Sequence, residues 1–237
     1  MKTGTIVLAQ HSSIPKEREF AESCAEFLRS RGRKNVRVAY HHGPPSSDSV
    51  ITGMFEEEGI DTFCILPLAI AEGNQTIWNM PHAMGLPDNA GSWRMVGEHD
   101  IATRFSTAMG REPSILQGII RMLGPSVEGT GVILVAYGSQ LTQSAKTAEY
   151  YAEGLRNSGW ITACGYARHG PTTEEAAEDL RKVGCTLLKV IPLSITVSGK
   201  WMKGAIENIG KEAEVLPPVS SLPEFMELLD SKVPEDW

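Results

Sequence analysis

Several features are missing from the sequence, and each absence excludes a class of protein. The four cysteines are scattered and form no CxxC pair, which excludes a zinc knuckle and a disulfide scaffold. Lysine and arginine form no cluster and the formal net charge is −7, which argues against a nucleic-acid partner. No apolar run approaches the roughly 20 residues of a membrane-spanning helix. No signal peptide is recognised, so the sequence predicts a reducing, cytoplasmic protein that is not inserted in a membrane.

The sequence does contain an internal repeat, whose landmarks recur in the same order in both halves. The matched segments are 5–13 (TIVLAQHSS) with 132–139 (VILVAYGS), 42–44 (HGP) with 169–171 (HGP), and 59–68 (GIDTFCILPL) with 184–193 (GCTLLKVIPL). Chance supplies one such match easily, but not all of them in register. We therefore predict two similar halves, residues 1–124 and 125–237, related by a pseudo-two-fold.

Each half alternates short apolar runs, which suit buried parallel strands, with helical patterns. In the first half we predict strands at 5–9, 36–40 and 62–70 and helices at 15–31, 48–58 and 114–123. In the second half we predict strands from 132, at 161–167 and at 187–195, and helices at 142–157, 172–183 and 222–229. The predicted fold class is α/β, with a parallel sheet and helices on both faces in each half. Residues 84–109 have no full counterpart and are interpreted as an insertion or an active-site flap.

Ligands of open parallel sheets bind at the carboxyl ends of the strands. The first strand of each half runs into His11-Ser12-Ser13 and Tyr137-Gly138-Ser139, directly before a helix. Free backbone N–H groups at a helix start favour anions, so both turns are candidate substrate-binding segments. The alternative is structural, because serine and glycine also make ordinary turns and helix caps.

Histidines end several of the predicted strands. His11 follows the first strand, and His42 and His169 follow the two equivalent second strands. A neutral imidazole binds divalent metals or accepts a proton, so these three are candidate metal ligands. The repeated His-Gly-Pro is equally interpretable as a turn. The third strands lead to Glu72 and Gln75 in one half and to Lys200 in the other, which makes these residues candidates for the same cleft.

Together these landmarks resemble the CbiX-type class II chelatases, which insert cobalt, iron or nickel into sirohydrochlorin. That family has a strand ending in His-Gly-Ser-Arg, a Glu-Pro-Thr-like turn with an acidic helix, and a Pro-Leu-Phe-Leu segment followed by Gly-Gly-His and Asp-Ile-Pro. The corresponding segments here are His11-Ser12-Ser13, Tyr137-Gly138-Ser139-Gln140, residues 171–176 (PTTEEA) and residues 67–81 (PLAIAEGNQTIWNMP).

The resemblance implies a lyase that inserts a divalent metal, cobalt first with iron or nickel as alternatives, into sirohydrochlorin or a related tetrapyrrole. It implies His11 and Glu72 as catalytic residues, no organic cofactor, the metal as a substrate, and a monomer or homodimer of cobalamin- or siroheme-type biosynthesis. Gln75, Tyr137 and Lys200 stand where the family has histidines. The alternatives are a non-catalytic tetrapyrrole- or metal-binding protein of the same fold, and an unrelated periplasmic-binding-like or flavodoxin-like module.

Overall fold

The computed structural model describes residues 2–86, 92–96 and 99–235. The chain divides into two compact units. Unit 1 contains Met1–Met109 and Met226–Trp237, and unit 2 contains Gly110–Phe225. Each unit is built around its own sheet.

Unit 1 is built on a five-stranded sheet with the order β2-β1-β3-β5-β4. Strand β4 alone runs antiparallel to its neighbour, and the other pairings are parallel. Its strands are β1 (Thr3–His11), β2 (Val36–His42), β3 (Thr62–Pro67), β4 (Ser92–Val96) and β5 (His99–Phe105). Its helices are α1 (Pro15–Ser30), α2 (Ser47–Glu58) and α3 (Met80–Ala83), and a π-helical turn at Gln75–Asn79 precedes α3.

Unit 2 has a four-stranded parallel sheet with the order β7-β6-β8-β9, which repeats the β2-β1-β3-β5 arrangement of unit 1. Its strands are β6 (Thr130–Ala136), β7 (Ile161–Tyr166), β8 (Leu187–Leu193) and β9 (Glu214–Val215). Its helices are α4 (Pro113–Leu123), α5 (Thr142–Asn157), α6 (Thr173–Lys182) and α7 (Lys200–Glu207), followed by a 3-10 turn at Val219–Ser221 and by α8 (Pro223–Ser231), which continues into unit 1. The predicted α/β class with two similar parallel-sheet subdomains is confirmed.

Strands β1 and β6 each lie between two parallel neighbours, and their middle segments are apolar because they are covered on both faces. In unit 1, Ile6 and Leu8 of β1 have no exposed surface, and in unit 2 the same holds for Ile133 and Val135 of β6. Burying one such side chain stabilises the fold by about 1.5–3 kcal/mol. The residues at the carboxyl ends of β1 and β6 therefore follow directly after fully buried strand segments, which fix their positions.

Residues 84–109 were interpreted as an insertion or a flap, and strand β4 within them has no counterpart in the described part of unit 2. They contain the β4–β5 hairpin, and β5 pairs in parallel with β3 from Thr62 to Ile65. Part of this segment is thus a structural strand of the sheet. Its position next to β3 corresponds to that of β9 next to β8 in unit 2.

The compact units do not coincide with the predicted halves, because each half contributes its last helix region to the other unit. Helix α4 belongs to unit 2, where Leu116 packs so closely on α5 that a Cβ at Gly154 would lie 2.4 Å from it. Residues 226–237 belong to unit 1, where the guanidinium of Arg33 binds Asp230 at 2.7 Å and donates to the Pro234 carbonyl at 3.0 Å. The chain therefore crosses between the units twice.

We expect Arg33→Ala to lower the free energy of unfolding by about 1–3 kcal/mol, because it removes the nearer cationic partner of the half-buried Asp230 and leaves it with Arg31 at 3.8 Å. Both side chains of this pair are only 16% exposed. The control is Lys182→Ala, whose pair with Asp179 is 69% exposed and is therefore expected to contribute much less to stability than the Arg33 pair. Urea denaturation measures both variants, and equal losses would contradict a specific role for Arg33 in holding the C-terminal segment.

Candidate functional site

The carboxyl ends of β1 and β2 bring histidines together. The strands pair in parallel with His11 opposite His42, so the two side chains lie on the same face of the sheet. Their rings are stacked, with centroids 4.9 Å apart and planes inclined by 23°. The ring of His41 lies 4.2 Å from that of His42, at an angle of 52°. Three imidazoles thus form one cluster at the sheet edge where ligands of such folds bind.

The backbone around this cluster is fixed by hydrogen bonds. The Ser12 N–H donates to the His42 carbonyl at 3.0 Å, which extends the pairing one residue beyond the strands. The His11 N–H donates to the Glu17 carboxylate at 3.1 Å, which ties the end of β1 to the first turn of α1. Burial raises the pKa of Glu17, and the hydrogen bond from His11 opposes that shift. These contacts hold His11 at the point where the strand opens.

Gly43 allows the β1 and β2 ends to approach each other. It has a φ of 106°, which side-chain-bearing residues rarely adopt, and a Cβ there would lie 2.0 Å from the Ser12 hydroxyl. The loop after His42 is closed by a hydrogen bond from Tyr40 N to the Pro45 carbonyl at 2.9 Å. The His-Gly-Pro segment is therefore a tight turn that also presents a histidine to the cluster.

The environment of His41 disfavours its charged form. Burial lowers the pKa of His41, and the neighbouring imidazoles of His42 and His11 lower it further. His41 is half-buried, whereas His42 is exposed. The side of the cluster nearer the core thus keeps a neutral imidazole to more acidic pH than a solvent-exposed histidine does.

The lowered pKa of His41 predicts a loss of stability on acidification. The unfolded chain, with a histidine pKa near 6.5, takes up the proton first as the pH falls. The stability that depends on His41 being neutral is fully present above about pH 6.5, and it is lost as the pH falls toward the lower pKa of His41 in the folded state. We expect wild-type protein to lose more stability than His41→Gln between about pH 7 and about pH 5. Urea titrations at several pH values measure this, with the difference at about pH 8 correcting for the substitution itself, and parallel profiles would contradict it.

Glu72, predicted as a catalytic residue, has both carboxylate oxygens engaged. One oxygen accepts a hydrogen bond from the Ala108 N–H at 2.7 Å, and the other lies 2.6 Å from the Thr76 hydroxyl. The carboxylate thus connects the turn after β3 to the segment after β5. Gln75, in contrast, is exposed at the start of the π-helical turn. The hydrogen bonds of Glu72 give it a structural role, and its catalytic role stays a prediction.

Unit 2 carries different side chains at the equivalent strand ends. Tyr137 follows β6 and is 48% exposed. Gly138 has a φ of 84°, and a Cβ there would lie 1.6 Å from the Arg168 carbonyl. The Ser139 hydroxyl accepts a hydrogen bond from the Leu141 N–H at 3.2 Å, just before α5. The turn after β6 is therefore as tightly built as the one after β1, without a histidine.

The end of β7 and the start of α7 supply cationic groups to unit 2. His169 is exposed and has a φ of 53°, and the preceding Arg168 places its guanidinium carbon 5.1 Å from the centre of the Trp201 ring. Lys200, the first residue of α7, is also exposed. The loop after β7 is closed by Tyr166 N bonding to the Pro171 carbonyl at 2.8 Å, as in unit 1.

The predicted site residues are distributed over both units. His11, Ser12 and His42 meet in unit 1, whereas His169 and Lys200 lie in unit 2. Throughout residues 2–86, 92–96 and 99–235, no group of three or more His, Cys, Asp or Glu side chains is arranged to hold a metal ion. Sequence reasoning missed Glu17, for which the only signal was an acid in the first turn of the helix after His11.

In its described part, the chain has no helix with the length and apolarity needed to cross a membrane. The sequence matches no protein-family model and no curated protein sequence.

The chain has the fold of the sirohydrochlorin chelatases. SirB from Bacillus subtilis with Fe³⁺ is similar with a TM-score of 0.75 at 13% identity, over 98% of this chain and 94% of SirB. SirB from Bacillus subtilis subspecies spizizenii in complex with cobalt has a TM-score of 0.71, also at 13% identity and the same coverage of both chains. CbiX, the terminal enzyme of siroheme biosynthesis in denitrifying bacteria, has a TM-score of 0.66 at 20% identity, with 97% of each chain covered. The resemblance drawn from the sequence motifs is thus confirmed at the level of the fold.

Proposed function

We propose that this protein inserts a divalent metal ion into sirohydrochlorin or a related tetrapyrrole, in the cytoplasm, as a monomer or homodimer. The observation that carries the proposal is the imidazole pair of His11 and His42 at the carboxyl edge of a chelatase-type sheet. The SirB structures hold Fe³⁺ and cobalt, which supports a metal as the substrate here. Cobalt is the first candidate, with iron and nickel as alternatives.

Metal insertion requires the ion to lose water and the macrocycle to lose its pyrrole N–H protons. A neutral imidazole serves the first step, because its ring nitrogen is a good ligand for borderline divalent metals. His11 is the proposed ligand, with His42 stacked beside it, and they leave coordination positions for water and for the incoming pyrrole nitrogens. A neighbouring neutral imidazole, or Glu72 after rearrangement of its hydrogen bonds, accepts a released proton.

Unit 2 supports a complementary role in holding the substrate. Tyr137 and Lys200 stand where the family has histidines; a phenol is a poor metal ligand at neutral pH, and an ammonium repels a cation. Lys200 is instead suited to a substrate carboxylate. The turns Ser12-Ser13 and Gly138-Ser139 are proposed substrate contacts.

The replaced ligands also favour a second candidate function, that of a tetrapyrrole- or metal-binding protein without catalysis. Gln75, Tyr137 and Lys200 together remove the histidines expected at three positions. Of the four expected histidine positions, only that of His11 keeps an imidazole. The two candidates share the fold and differ in whether the metal is transferred.

Absorbance spectroscopy separates these candidates. Sirohydrochlorin is mixed with Co²⁺, Ni²⁺ or Fe²⁺ under anaerobic conditions, with and without the protein, and metallation is followed through the macrocycle spectrum. Acceleration of metallation supports the chelatase proposal. Saturable binding of the macrocycle without acceleration supports the binding protein, and the absence of any spectral change on adding protein contradicts both.

A further inference from the structure

The end of β7 in unit 2 is clamped to the end of β6 by its backbone. The Ala167 N–H donates to the Ala136 carbonyl and the Arg168 N–H to the Tyr137 carbonyl, both at 2.9 Å. Gly138 packs directly against the Arg168 carbonyl. These contacts continue the strand pairing past the sheet edge, so the backbone of Arg168 is fixed where its side chain leaves the fold.

The side chain of Arg168 is held against an aromatic surface. Its guanidinium lies 5.1 Å from the centre of the Trp201 ring, a distance within the range of a cation–π contact. Trp201 lies in the first turn of α7, and its side chain is 52% exposed and not buried in the core. A guanidinium supported on one face keeps its N–H donors at its edge, in the plane that a carboxylate approaches.

No acidic group competes for Arg168 in the part of the chain that the structure describes, where it forms no ion pair with a carboxylate. The two acids in the first turn of the following helix form other contacts: Glu175 accepts the Thr172 N–H at 2.7 Å, and Glu174 lies 3.2 Å from the Thr173 hydroxyl. The guanidinium donors are therefore available to an external carboxylate.

The same edge carries further positive charge. Lys200 and Lys203 are exposed on α7, and among the residues that the structure describes only Lys203 of these two forms an ion pair, with Glu207 at 3.7 Å. In the repeat, Arg168 corresponds to His41 and Lys200 to Gln75. The strand ends of unit 1 therefore present imidazole and amide groups where those of unit 2 present fixed cations.

We propose that Arg168, supported by Trp201, is a specificity-determining residue that binds a carboxylate side chain of the macrocycle and selects the more highly carboxylated tetrapyrroles. This rests on the proposed function, since it specifies how the protein recognises the substrate of that reaction. It also accounts for how a chain of net charge −7 would bind a polyanion, because Arg168, Lys200 and Lys203 place exposed positive charges in this part of unit 2. Arginine suits the role better than lysine, since its planar fork binds a carboxylate through two hydrogen bonds.

The test compares the binding of two metal-free porphyrins, uroporphyrin and coproporphyrin, to the full-length protein. Uroporphyrin carries twice as many carboxylates, and both are titrated by absorbance. Wild-type protein is expected to prefer uroporphyrin. Arg168→Gln is expected to weaken uroporphyrin binding by about tenfold or more, with a smaller effect on coproporphyrin, and Trp201→Phe is expected to give a partial loss. Lys146→Gln, which removes one exposed charge from α5, is the matched control and is expected to bind as wild type.

Several results would overturn the inference: unchanged binding by Arg168→Gln, an equal loss in Lys146→Gln, or a wild type that binds neither porphyrin. Arg168→Lys separates charge from geometry, and it is expected to recover less than half of the lost affinity. The inference and the proposed function fail separately. Metallation by wild type with no dependence of binding on Arg168 contradicts only the inference, whereas Arg168-dependent binding without metallation contradicts only the chelatase proposal.

Discussion

His11→Ala is expected to slow metal insertion into sirohydrochlorin by about 100-fold or more, because the substitution removes the imidazole proposed to hold the ion and to assist proton transfer. Binding of the macrocycle is expected to change little, since other residues are proposed to hold its carboxylates. His11 is only half-buried and its backbone N–H remains bonded to Glu17, so the variant is expected to fold. Metallation rates and macrocycle titrations, both followed by absorbance, separate the two effects.

The control for this prediction is His82→Ala. His82 is an exposed histidine in α3 of the same unit, outside the His11–His41–His42 cluster. It is expected to metallate as wild type. A wild-type rate in His11→Ala would show that the central residue is wrong, and a site based on His42 and His169, or the binding-protein function, would then be the better account.

Gly138→Ala is expected to destabilise the protein by about 3 kcal/mol or more, which is the largest effect that we predict on stability. The added Cβ would lie 1.6 Å from the carbonyl oxygen of Arg168. The alanine would also have to adopt the φ of 84° that Gly138 has. Neither the strand end nor the Arg168 backbone can yield easily, because hydrogen bonds from Ala167 and Arg168 join these two segments. Thermal and urea denaturation measure the loss.

Gly204→Ala is the matched control, because a Cβ at this position of α7 meets no atom within 4 Å. Replacing a helical glycine by alanine is expected to stabilise by about 0.5–1 kcal/mol. If both variants lost the same stability, the close approach at Gly138 would not be the cause.

Much of the fold follows from local patterns in the sequence. Helix α5 was predicted at 142–157 and occupies those residues, and α2 differs by one residue at its start. Such segments carry their own signals, an amphipathic stripe and a stop at Gly59 in the left-handed conformation. The strands are short apolar runs bounded by turns, which is why their centres are predicted better than their ends.

Other features depend on contacts between distant segments. The β4–β5 hairpin and α7 were not predicted, and the exchange of the terminal helices has no local signal. At the site, the adjacency of His11 and His42 follows from parallel pairing of neighbouring strands, so sequence reasoning could anticipate it. The pairing of Arg168 with Trp201 could not be anticipated, because it depends on the position of α7 relative to β7.

Because residues 226–237 belong to unit 1, the order of synthesis constrains the order in which the two units fold. Unit 1 includes residues 226–237, so its contacts with Asp230 and Pro234 are absent until these residues have been synthesised. When residue 225 has been synthesised, unit 1 still lacks the segment that covers part of its surface. Unit 2, which is continuous from Gly110 to Phe225, has all its residues at that point. The later-synthesised unit can thus finish folding first, and a chain cut after residue 124 would leave neither fragment with a complete unit.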